Sequence, residues 1–148
     1  MGIGNTRLHA FLRQGIQLSE AMAWYSVFDK ATSNKILNWV KQDQLFNQGV
    51  DSDGDVIGYY SKFTEMINPE KEEGTPYTLK DTGSLYRSLY IVALRDAFII
   101  EGDVSEIIDQ SWYSDKILSL TAQSKEKLRP IILQKYQEYV RKILHRAR

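Results

Sequence analysis

The chain has 148 residues, one domain's worth, and with 43% hydrophobic and 26% charged residues it has the composition of a folded globular protein. Lys and Arg total 19, as do Asp and Glu, so the formal net charge is zero and capture of nucleic acid by bulk electrostatics is disfavoured. The absence of cysteine excludes disulfides, thiolate catalysis and Cys-bound zinc, and no apolar run approaches the roughly 20 residues that span a bilayer.

Residues 1–17 read as a flexible lead or a short helix over Arg7 to Ile16. Met1 to Gly15 lacks the apolar stretch of a signal peptide, so a soluble intracellular origin is the expectation. Residues 18–48 read as one long helix: Leu18, Met22, Tyr25, Phe28, Ile36, Val40 and Leu45 recur mostly at helical spacings. Thr32-Ser33-Asn34 leaves room for a break, and Gly49 is a plausible stop.

Residues 49–84 read as an extended loop arm, rich in Gly, in Asp, and in two of the three prolines, Pro69 and Pro76. A loop of that length inside a compact domain usually serves an interaction. Residues 85–103 then read as a β-hairpin. Leu89, Ile91 and Ala93 alternate with Tyr90, Val92 and Leu94, Arg95-Asp96 forms the connection, and Ala97 to Ile100 is the second strand. Leu85 to Leu89 can alternatively form a helical turn before the first strand. Ile107 to Leu120 has no clear period. Residues 122–146 read as a C-terminal helix with Ile132, Tyr136, Tyr139, Val140 and Ile143 on one face and Pro130 in an early turn or at a kink. The order describes a single α+β domain.

Few constellations carry chemistry. Asp51, Asp53 and Asp55 imitate half an EF-hand loop, but the sixth position is Val56 and the twelfth is Lys62, where Gly and Glu are needed. A solvated acidic turn is the better reading. The two histidines, His9 and His145, lie near opposite ends and suit neither a multi-histidine zinc site nor a triad. Gly2-Ile3-Gly4 lacks the remainder of a phosphate loop. Arg141, Lys142, His145, Arg146 and Arg148 form a basic end that suits the negative pole of a helix. Neither enzyme activity nor a cofactor or metal is expected.

Thr78-Leu79-Lys80-Asp81-Thr82-Gly83-Ser84-Leu85-Tyr86-Arg87-Ser88-Leu89 resembles a motif of the tail-completion and virion-morphogenesis proteins of tailed bacteriophages, "Leu-x-Asp-Thr-Gly-x-Leu-x-x-Ser". Upstream, Asp51 to Asp55 resembles their "Asp-x-Asp-Gly" turn, and Gly58 to Thr64 their "Tyr-Ser-x-x-Thr". Ile117 to Thr121 is similar to the "Leu-Gly-Leu-Ser" lead into their last helix, and the set is also similar to proteins of crAss-like phages. Their Tyr-Ala-x-x-His-Gln-x-Gly element has no counterpart in Ser105 to Tyr113. Asp-Thr-Gly is also the catalytic triplet of retroviral-type aspartic proteases, but the apolar strand that precedes it there is missing.

The resemblance implies a virion protein assembled in the host cytoplasm, a subunit of a neck, head–tail connector or tail-completion ring. Its partners would be copies of itself, the portal or an adjacent ring, and tail proteins, with passive proximity to packaged DNA and no membrane. Tyr59, Tyr60, Phe63, Tyr77, Asp81, Thr82, Gly83, Tyr86 and Arg87 are the expected interface, because aromatic residues supply large contact area with few torsions to freeze. A soluble phage regulatory or adaptor protein is the alternative.

Overall fold

The computed structural model describes residues 20–105 and 115–146; the expectations for 1–17, and for the part of Ile107 to Leu120 before residue 115, fall outside these residues. In chain order the elements are α1 (Glu20–Val27), α2 (Lys30–Asn38), a π-helix (Trp39–Gln48), α3 (Lys62–Ile67), α4 (Ser84–Ser88), strands β1 (Tyr90–Ala93) and β2 (Phe98–Glu101), and α5 (Ala122–Arg146). Helices plus a two-stranded antiparallel sheet make this an α+β fold.

Of the long helix expected over 18–48, the described part, 20–48, is three segments. The interruption falls at Phe28-Asp29, not at Thr32-Ser33-Asn34. Asp29 is extended (φ −66°, ψ 170°), and its carboxylate accepts the Thr32 N–H at 2.8 Å, capping α2. A continuous apolar stripe hides such a break because the stripe resumes in phase after it. The third segment widens into i→i+5 hydrogen bonding, with Val40, Gln44 and Leu45 buried. It ends at Gly49, whose φ of +64° lets its N–H reach back to the carbonyls of Gln44 and Leu45.

The hairpin pairs Tyr90 with Glu101, Ile91 with Ile100, Val92 with Ile99 and Ala93 with Phe98. The Leu94 N–H donates to the Ala97 carbonyl at 2.8 Å and closes the turn around Arg95-Asp96. One edge is sealed by an aromatic cluster: Phe28 lies 5.0 Å from both Trp24 and Phe98, ring centre to ring centre.

The core joins elements distant in sequence. Ile36 and Val40 meet Leu85, Leu89, Leu118, Leu120 and Leu128. Gln44, also buried, donates from Nε2 to the carbonyls of Ile117 (3.2 Å) and Ser119 (3.0 Å), pinning the turn that leads into α5. Pro130 lies well inside α5 at an exposed position; the carbonyl that loses its i→i−4 donor belongs to Glu126, itself an exposed residue. Among the described residues no helix is long and apolar enough to cross a membrane.

Candidate interaction surface

Residues 49–83, expected as an extended arm, are folded into a lobe. Val50 bridges Val56, which closes the acidic turn, and Tyr59 bridges Pro76. The Tyr60 N–H donates to Thr75, the Gly74 N–H to Tyr60 and the Tyr77 N–H to Gly58, at 2.8–2.9 Å, so the two ends of the lobe run antiparallel. Two of the glycines that suggested irregular chain here, Gly49 and Gly58, serve close approach to Pro76 and Tyr77. A Cβ at Gly58 would lie 2.5 Å from the Tyr77 ring, and one at Gly49 would lie 2.5 Å from the Pro76 side chain.

Four of the expected interface residues converge inside or beneath this lobe. The Tyr60 hydroxyl lies 3.1 Å from the Thr78 hydroxyl and accepts the Thr78 N–H at 3.2 Å. Its ring meets Tyr77 edge-on at 4.9 Å. Lys71 sits over the same ring and pairs with Asp81 at 2.8 Å. Tyr86 is only 6% exposed, and its hydroxyl donates to the Thr78 carbonyl at 2.5 Å. Burial, reinforced by the neighbouring Tyr60, pushes the Tyr86 phenol well above its ordinary value. Tyr86 is therefore a core residue fastening the lobe to α4, and its place in an outward contact surface is corrected.

The Asp-Thr-Gly segment is a helix entry. Gly83 is buried at φ +81°, the Ser84 N–H donates to the Thr82 hydroxyl at 3.2 Å, and Arg87 donates to the Thr82 carbonyl at 3.1 Å. A Cβ on Gly83 would come within 3.0 Å of the Arg87 guanidinium. Asp81, Thr82 and Arg87 stay exposed at the foot of the lobe.

The outward face is α3. Ser61 caps it by accepting the Thr64 N–H at 3.2 Å, so the Tyr-Ser-x-x-Thr stretch is a capped helix start. No residue of α3 is buried. Phe63, Met66 and Ile67, spaced i, i+3, i+4, are 71%, 76% and 70% exposed, and Tyr59 stands exposed beside them. Scattered surface apolar residues are ordinary, whereas three large ones on consecutive turns form a patch. Sequence reasoning named Tyr59 and Phe63 but missed Met66 and Ile67. Their helical spacing behind Ser61 was the available signal, masked by the flanking Gly and Pro residues.

The acidic turn gathers the carboxylates of Asp51, Asp53 and Asp55 within 4.8 Å. The Asp51 carboxylate accepts the N–H groups of Asp53 and Asp55, and Lys116 pairs with Asp53 at 2.5 Å. That hydrogen bond raises the Lys116 pKa. Elsewhere, Lys135 of α5 binds Asp29 at 2.6 Å. The Lys135 ammonium, helped by the Thr32 N–H, holds the Asp29 carboxyl down at about 2.

Comparison with protein-family models, with curated proteins and with solved structures finds no match to this chain.

Proposed function

We propose that this chain is a structural subunit, without catalytic activity, of a tailed-bacteriophage virion, and that it belongs to a neck, connector or tail-completion ring joining portal to tail. The observation that carries the docking role is α3, a capped helix with no fully buried residue that holds Phe63, Met66 and Ile67 in water. A patch like this gains free energy only when a partner covers it. The lobe beneath supports the same reading, because its bridges and the Tyr60–Thr78–Tyr86 hydrogen bonds present α3 on an ordered base. The resemblance over Leu79 to Ser88 supplies the virion setting.

The test is to mix the purified protein with the portal and tail proteins encoded beside it and to measure the mass of what forms. A defined complex that Phe63→Ser/Met66→Ser abolishes is expected; no complex with any neighbour overturns the reading. A second reading, a phage regulatory protein, is favoured by the basic end Arg141, Lys142, Arg146 on α5. It predicts salt-sensitive retention on DNA.

A further inference from the structure

The chain has no cysteine, so its three methionine thioethers are the groups that a peroxide oxidises most readily. Two of them, Met22 and Met66, lie among the described residues, and their settings differ. Met66 stands on α3 at 76% exposure, above every other large hydrophobic residue described. Met22 is 55% exposed and belongs to α1, which packs on α5. Phe63 and Ile67 flank Met66 at i−3 and i+1, so its thioether sits in the middle of the apolar patch. The helix beneath is held without it. Ser61 accepts the Thr64 N–H at 3.2 Å, the Asn68 N–H donates to the Thr64 carbonyl at 2.9 Å, and Met66 is not among the residues packed on the core.

We propose that Met66 is an oxidation site, and that its conversion to the sulfoxide makes the α3 patch polar while leaving the fold intact. The site rests on exposure; its consequence for binding rests on the reading of α3 as a docking surface. The Met66 sulfur attacks one oxygen of hydrogen peroxide, and the S–O bond forms as the O–O bond breaks. The departing hydroxide takes the proton of the oxygen now on sulfur and leaves as water. Sulfur is oxidised by two electrons and peroxide is reduced by two. The sulfoxide oxygen is an acceptor that needs a hydrogen-bond partner, and an apolar cover leaves it without one. Burying an intact methionine moves an affinity about tenfold or more, and the sulfoxide forfeits that gain. Methionine sulfoxide reductases restore the thioether at the expense of a thiol reductant, so the change is reversible. Docking through α3 is thereby open to control by oxidant without unfolding of the chain.

The experiment treats the full chain with hydrogen peroxide in steps and reads each step by peptide mapping, thermal unfolding and native retention on a phenyl matrix. Met66 is expected to reach half conversion before Met22, with Tm moved by no more than about 2 °C and retention shortened as Met66 converts. Met66→Leu should keep its retention under peroxide, Met22→Leu should lose it as wild type does, and a sulfoxide reductase should restore wild type. Oxidation of Met22 first, a larger fall in Tm as Met66 converts, or unchanged retention overturns the proposal. With peroxide removed before mixing, the Met66 sulfoxide is expected to bind portal or tail protein about tenfold more weakly or worse, and peroxide-treated Met66→Leu to bind undiminished. Equal binding of the oxidised and untreated chains overturns control by oxidant and leaves the neck reading intact. No complex with either form overturns the docking reading, while the order of oxidation and the loss of retention still decide the site.

Discussion

Gly49 is where the π-helix ends and the lobe begins, and replacing it with alanine tests whether that junction holds the lobe in place. Its φ is +64°, and an added Cβ would lie 2.5 Å from the Pro76 Cβ and 2.7 Å from the Tyr77 carbonyl oxygen. Left-handed backbone costs an L-residue about 1 kcal/mol, and forcing an extra carbon into packed surroundings costs about 1–3 kcal/mol. Gly49→Ala is thus expected to destabilise by about 3 kcal/mol. Gly54 supplies the control, because its φ is +85° but no atom lies within 4 Å of an added Cβ. Gly54→Ala should therefore show the backbone cost alone, about 1 kcal/mol. Thermal unfolding of the two variants, at about 3 °C per kcal/mol for a domain of this size, should separate them by roughly 6 °C. Urea midpoints with unchanged slope provide the second reading. Equal losses in the two variants would refute the packing of Gly49 against Pro76 and Tyr77, and with it the ordered base beneath α3.

Asp29→Asn should cost about 1 kcal/mol through a weakened cap and the lost Lys135 pair. Because the folded carboxyl is lowered to about 2 from an ordinary 3.8, its contribution is present above pH 3.8 and fades as pH falls toward 2. Urea midpoints of wild type and variant should therefore converge over that window. Tyr86→Phe removes the donor to the Thr78 carbonyl and should lower stability by about 1 kcal/mol. The raised Tyr86 pKa stabilises the neutral phenol fully below pH 10, and that stability is lost as pH climbs further, so alkaline denaturation should start earlier in wild type than in the Phe variant. Gln44→Leu leaves the Ile117 and Ser119 carbonyls without their donor but also removes Oε1, which has no hydrogen-bond partner among the described residues. A net loss of about 1 kcal/mol by chemical denaturation is expected.

The hairpin and α5 were legible because their signals are local: alternation from Leu89 to Leu94, a two-residue turn at Arg95-Asp96, and helical spacing from Ile132 to Ile143. The break at Asp29 was not, because a cap consists of one side chain and one N–H, and the apolar stripe runs straight across it. The lobe was unreadable for a different reason. Gly49, Gly58 and Pro76 look like loop formers in isolation, and only the folded chain reveals that they let Tyr77 and Pro76 lie against the first half of the lobe. The same effect split the expected interface. Tyr59 and Phe63 point to water, whereas Tyr60 and Tyr86 spend their hydroxyls on Thr78. A tyrosine's type does not reveal whether it faces water or bonds its own chain; the i, i+3, i+4 spacing of Phe63, Met66 and Ile67 marks a helix face whose exposure only the fold shows.

The most direct test of the central claim is the native mass of the full chain, alone and mixed with the portal and tail proteins proposed as its partners, beside that of a folded Phe63→Ser/Met66→Ser variant. The account predicts a defined complex with at least one of those proteins for wild type and none for the variant. A wild-type chain that binds none of them, or a variant that binds as well as wild type, would contradict it.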